Sequence, residues 1–119
     1  MDGLTGRQLD GIAELAGLAS TAGVEVWLRG GWAMDFHLGE VTRPHVDVDW
    51  YCWRADAERL AGLLRAHGWR PDPRMPVHLQ LDLVRDDVEV RSRTWRGTRP
   101  AGWWWAPARG RAPRCPTAC

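Results

Sequence analysis

A chain of 119 residues can bury one modest core and is too short for two independent domains. Its formal charge of +1 conceals a split: residues 1–90 carry 9 Arg and all 15 acids and sum to −6, while residues 91–119 carry 7 Arg and no acid and sum to +7. With no long apolar run and no basic stretch leading into an apolar core, neither a membrane span nor an export signal is expected, and the cytoplasm is the default location.

Leu9, Ile12, Leu15, Ala16, Leu18 and Ala19 recur at helical spacing, so a first helix is predicted over residues 5–19, opened by Thr5 and Gln8 as a capping box. Ala22-Gly23 breaks it, residues 24–28 alternate as a short strand, and Gly30-Gly31 ends that strand. A short helix over 32–38, closed by Gly39, is followed by a loop at 40–44 and a strand over 45–53. Ala57, Leu60, Ala61, Leu63 and Leu64 mark a helix over 56–67, stopped by Gly68. After a Pro-rich loop at 71–76, two strands at 77–84 and 88–92 form a hairpin around Arg85-Asp86-Asp87.

Periodic signals stop near Arg91. Residues 93–119 are rich in Arg, Trp, Pro and Gly, match no helix or strand template, and contain no acid. Ordinary disordered tails are poor in aromatics, so two readings stand: a frameshifted or otherwise non-native terminus, or a basic aromatic arm that binds nucleic acid. The expected division is a folded unit over 1–92 and an irregular tail over 93–119. Cys52, Cys115 and Cys119 show neither a disulfide framework nor zinc spacing, which fits a reducing compartment.

Chemistry concentrates around Asp47-Val48-Asp49. In a strand these two carboxylates leave the same face about 6.5–7 Å apart. Facing carboxylates repel unless a cation lies between them, and Mg²⁺ with its oxygen ligands is the usual solution, although a solvent-facing polar stripe reads the same way. Upstream, Leu28-Arg29-Gly30-Gly31-Trp32 sets two glycines between a strand and a helix, where backbone amides can approach an anion. Neither a Gly-x-Gly-x-x-Gly pattern nor a Walker loop is present, so another nucleotide-binding architecture is needed.

Leu28-Arg29-Gly30-Gly31-Trp32-Ala33-Met34-Asp35 and Thr42-Arg43-Pro44-His45-Val46-Asp47-Val48-Asp49, taken in order, resemble the aminoglycoside 2″-adenylyltransferase family of DNA polymerase β-like nucleotidyltransferases. The resemblance covers roughly residues 10–92. It implies an α+β fold with a mixed sheet flanked by helices, two Mg²⁺ ions, ATP as co-substrate, and transfer of a nucleoside monophosphate to a hydroxyl with release of pyrophosphate. Asp47 and Asp49 would hold the ions, with Glu89 or Asp82 as the third carboxylate; Glu89 is preferred because it follows the hairpin turn, though Asp is commoner there. Gly30 and Gly31 would cradle phosphates, Arg43 would add a charged contact, His45 would orient a carboxylate or touch nucleotide, and Asp35 would buttress the site by hydrogen bonds.

Trp27, Trp50, Trp53 and Trp69 are expected in the core or in pocket walls, and His37, His67 and His78 lack metal-ligand spacing. The expected partners are a nucleotide and a small hydroxylated acceptor such as an aminoglycoside. A monomer or weak homodimer is expected, with an uncovered sheet edge predicting poor solubility or dimerisation. The alternatives are an inactive remnant, a minimal nucleotidyltransferase acting on a protein hydroxyl, and a non-catalytic nucleic-acid-binding module.

Overall fold

The computed structural model describes residues 3–72, 80–97 and 104–105. Its elements run α1 (Gly3–Ala22), β1 (Val26–Arg29), α2 (Gly30–Leu38), β2 (Val48–Trp53), a 3-10 turn (Arg54–Asp56), α3 (Ala57–Arg65), β3 (Arg70–Pro71), β4 (Gln80–Arg85), β5 (Val88–Trp95) and β6 (Trp104–Trp105). The strands form one sheet in the order β3-β4-β5-β2-β1-β6, with β2 and β5 parallel and all other pairs antiparallel. The expected α+β architecture, a mixed sheet flanked by helices, is therefore present.

Period-two alternation decides which face is core. Val48, Trp50 and Cys52 of β2 and Val88, Val90 and Ser92 of β5 are buried, whereas Asp49, Tyr51, Glu89 and Arg91 are half-buried on the opposite face. Onto the buried face pack Ile12, Leu15, Ala16 and Ala19 of α1, Trp32 and Ala33 of α2, and Leu60, Ala61 and Leu64 of α3. Trp69 joins this core, its indole N–H donating to Glu14 Oε1 at 2.8 Å while Arg85 lies over its ring. Trp27 is buried too, stacked edge-on against Trp53 with centroids 5.0 Å apart. Among the described residues no helix is long and apolar enough to cross a membrane.

Several boundaries differ from expectation for identifiable reasons. Thr5 and Gln8 are no capping box, because α1 starts at Gly3 and both side chains lie buried within it. Gln8 points inward and its amide donates to the His45 carbonyl at 3.0 Å. β2 begins at Val48 rather than residue 45, since its neighbour β1 ends at the Arg29–Asp49 pair and has already turned into α2. β5 runs on to Trp95 because β2 accompanies it as far as the Trp53–Trp95 pair, so regular structure extends past the expected limit at residue 92. The tail expected to be irregular contributes β6, which pairs Trp104 and Trp105 with Arg29 and Leu28 along the outer edge of β1. An open edge and β-favouring tryptophans supply the reason. β3 is a second unforeseen strand, pairing Arg70 and Pro71 with Val84 and Leu83 at the other edge, where Pro costs no ladder bond. The beginning of the predicted strand at Val77, and His78, lie outside the described residues.

The hairpin turn falls at Asp86-Asp87, with Asp86 at φ 55°, a left-handed conformation that Asp tolerates better than most residues. Arg7 of α1 grips the turn, its Nε donating to Asp87 Oδ1 at 2.7 Å. The Arg7 hydrogen bond lowers the Asp87 carboxyl from its ordinary value.

Candidate active site

The site is assembled where β1 passes directly into α2 beside the start of β2. Arg29 caps α2 with extended backbone and no side-chain capping bond, so the amides of the first turn keep their hydrogen-bonding capacity for another acceptor. Gly30 adopts φ +72°, and a Cβ there would lie 3.0 Å from Asp49 Oδ2. At Gly31 a Cβ would come within 2.6 Å of the His45 ring and 2.8 Å of an Arg43 guanidinium nitrogen. Both glycines are thus demanded by close approach, and one of them by backbone conformation as well. The backbone of the turn lies directly against Asp49, His45 and Arg43.

A buried network fixes the loop that carries His45 to Asp47. Asp35 of α2 is 1% exposed; its Oδ2 meets His45 Nε2 at 2.6 Å, and its Oδ1 accepts from the Thr42 hydroxyl at 2.6 Å. The Thr42 amide donates to the same carboxylate at 3.2 Å. Burial pushes the Asp35 carboxyl up, but the bonds from His45 and Thr42 together outweigh it and leave Asp35 below its ordinary value. With Gln8 holding its carbonyl and Trp32 4.6 Å from its ring, His45 is clamped on three sides. Asp35 acts on the loop and does not line the cavity beside it.

That cavity, about 190 Å³, is lined by Arg29, Gly31, Trp32, Arg43, His45, Val46, Asp47 and Asp49. Asp47 sits just before β2 and Asp49 within it, and both carboxylates line the cavity. Burial, then the Asp47 charge, pushes the Asp49 carboxyl above its ordinary value, with Arg29 and Arg91 opposing. Two hard oxygen donors at one cavity are the ligand type that a divalent cation takes.

Of the residues singled out in the sequence, Gly31, Arg43, His45, Asp47 and Asp49 meet at the cavity, and Gly30 abuts Asp49. Glu89 and the buried Asp82 share the sheet face opposite the core but, among the described residues, form no three-carboxylate cluster with the pair. Arg91 stands between: its Nε lies 3.2 Å from Asp47 Oδ2 and its NH2 3.7 Å from Glu89 Oε2. Asp82 is on the next strand, opposite Arg91 in the β4–β5 register. Among the described residues no three His, Cys, Asp or Glu side chains are close enough together to hold a metal ion. The Asp47–Asp49 pair therefore stands without a third carboxylate, and Arg91 engages both Asp47 and Glu89.

Sequence reasoning passed over three contributors. Arg29 lies 3.6 Å from Asp49 Oδ1 and also over the Tyr51 ring. Arg91 was visible only as the first residue of a basic tail, and its role follows from the parallel β2–β5 register, which pairs it with Asp49. Gln8 could have been found only by knowing that α1 presents it to the His45 loop. His67 is on the surface with Nδ1 3.0 Å from the Leu63 carbonyl, and His37 is exposed; neither approaches the site.

Similarity to known proteins agrees with this geometry. Curated 2″-aminoglycoside nucleotidyltransferases from Klebsiella pneumoniae and Escherichia coli are each 42% identical over 38 residues, 32% of this chain and only 22% of theirs. In fold the chain is similar to the crystal structure of ANT(2″)-Ia in complex with adenylyl-2″-tobramycin, with TM-score 0.72 and 21% identity over 93% of this chain and 70% of that one. A tRNA nucleotidyltransferase complexed with a primer tRNA and an incoming ATP analog shares the fold more distantly, with TM-score 0.52 and 25% identity over 74% of this chain and 25% of that one. The family model for aminoglycoside-2″-adenylyltransferase matches residues 12–99, from α1 past the end of β5. A match over most of the chain, carried on a nucleotidyltransferase fold that sets Gly30 against Asp49 and Gly31 against His45, places this protein in the aminoglycoside 2″-adenylyltransferase family.

Proposed function

We propose that this chain carries the nucleotide-binding and metal-binding half of an adenylyltransfer reaction, moving AMP from ATP to a hydroxyl of an aminoglycoside-like small molecule. The observation that carries the reading is the packing of the Gly30-Gly31 turn against Asp49, beside a cavity that also gathers Asp47, Arg29 and Arg43.

The chain's residues divide the work. Amides at the start of α2 and the Arg43 guanidinium would bind the phosphates, since an uncapped helix start favours anions and a guanidinium makes charge-assisted bonds to phosphate. Asp47 and Asp49 would hold Mg²⁺, which when bound supplies charge neutralisation at the phosphates and a lower pKa for the acceptor hydroxyl. The acceptor oxygen attacks the α-phosphorus, the bond from that phosphorus to the bridging oxygen breaks, and pyrophosphate departs with its electron pair. The hydroxyl proton would pass to a carboxylate on the sheet face opposite the core, where Glu89, which shares Arg91 with Asp47, is the preferred candidate outside the aspartate pair. Asp35 and Thr42 keep His45 and the loop in place throughout.

ANT(2″)-Ia was crystallised with adenylyl-2″-tobramycin, which supports an aminoglycoside as acceptor. The direct test incubates the protein with ATP, Mg²⁺ and a panel of aminoglycosides, then measures pyrophosphate and the mass of the antibiotic. A mass gain of one adenylyl group with matching pyrophosphate is expected. ATP binding without any modified acceptor would remove the aminoglycoside from the reading and leave the nucleotide site.

A further inference from the structure

Arg91 occupies a position that the proposed chemistry does not use. It is on β5 with Asp49 as its register partner on β2 and Asp82 as its partner on β4, so the sheet sets it centrally on an acidic face. Its Nε faces Asp47 Oδ2 at 3.2 Å and its NH2 faces Glu89 Oε2 at 3.7 Å. The side chain is 39% exposed, so it can move away while its backbone stays in the ladder. A guanidinium and a divalent ion on one carboxylate compete for its charge and repel each other at such short range.

We propose that Arg91 is a resident counter-cation of the nucleotide site: it holds Asp47 and Glu89, competes with a divalent ion for them, and transfers to the triphosphate when nucleotide binds. The proposal rests on Asp47 and Asp49 being the metal-binding pair. Guanidinium groups pair with phosphate oxygens as readily as with carboxylates, so the incoming triphosphate offers Arg91 an alternative partner. Its departure frees Asp47 for metal and Glu89 for the acceptor side. Metal and nucleotide affinities then become coupled, each favouring the other by the same factor.

The experiment measures Mn²⁺ binding to the full chain by the paramagnetic resonance of free Mn²⁺, alone and with a non-hydrolysable ATP analogue. Arg91→Gln is compared with wild type and with Arg93→Gln, which removes an equal charge two residues along the same strand. Arg91→Gln should bind Mn²⁺ alone about tenfold more tightly than wild type, the size of one lost charge-assisted contact. The analogue should raise Mn²⁺ affinity strongly in wild type and much less in Arg91→Gln, while Arg93→Gln follows wild type. Arg91→Lys keeps a cation without the two-pronged geometry; it should fall between the two and carries the test if Arg91→Gln fails to fold. Equal Mn²⁺ affinity in wild type and the Arg91 variants, or an equal gain in Arg93→Gln, overturns the proposal and leaves the metal pair standing. No Mn²⁺ binding by any protein, with or without the analogue, removes the metal pair and the proposal together.

Discussion

Asp49 stands half-buried between Arg29 and Arg91, and burial, then the charge of Asp47, raise its pKa. A raised carboxylate pKa means that the folded state favours the protonated form. Its contribution to stability is therefore present in acid and lost as pH rises through the folded value. Asp49→Asn removes the ionised group, so the metal-free variant should melt higher than wild type near pH 7, and the gap should close toward pH 4. Calorimetric melting across pH checks this, and a variant that melts lower at neutral pH would show that Arg29 outweighs the repulsion. Asp35 behaves in the opposite sense. Its lowered pKa stabilises the fold at neutral pH, and that contribution fades as pH falls through the folded value. Asp35→Ala strands His45 Nε2 and the Thr42 hydroxyl in a buried setting, which should cost about 3 kcal/mol in urea unfolding at pH 7. Asp47, Asp49 and the glycine pair were legible in the sequence because an ordered motif carries them. Arg29, Gln8 and Arg91 were not, because their partners lie 20 or more residues away and only sheet register or helix rotation brings them together.

Elements with a repeated pattern were readable and the two-residue strands were not. The apolar stripe of α1, the alternation in β2 and the β4–β5 hairpin are repeated patterns over many residues, and each is found close to its expected span. β3 and β6 have two residues each, too few for any period, and they exist only because a sheet edge is available to pair with. The start of β2 was misplaced because the residues before Val48 alternate as a strand would, yet His45 is taken by Asp35 and Gln8. β6 gives the tail a measurable role: it covers the outer edge of β1 at Leu28 and Arg29, next to the glycine turn. Ending the chain at Gly97 should lower stability by about 1–2 kcal/mol through the lost ladder bonds and increase association with concentration. Urea unfolding and sedimentation at several concentrations test this. Unchanged values in both would mean that the arginine and tryptophan segment lies outside the cooperative fold.

At the scale of the whole molecule, the charge split acquires a geometric meaning. The acidic first 90 residues supply the carboxylates of the site, and the first arginine of the basic remainder, Arg91, stands on β5 in the middle of them. The family match to residue 99 likewise crosses the charge boundary, so the change in composition near Arg91 does not coincide with an edge of the sheet. The proposed activity depends on one nucleotide site built from the β1–α2 turn and the Asp47–Asp49 pair. Titration of the intact protein with ATP by calorimetry, with and without Mg²⁺, tests it most directly, with the Asp47→Ala, Asp49→Ala double variant as comparison. Magnesium-dependent ATP binding that the double variant loses is the predicted result, whereas ATP binding of equal strength in both proteins, or in neither, would contradict it.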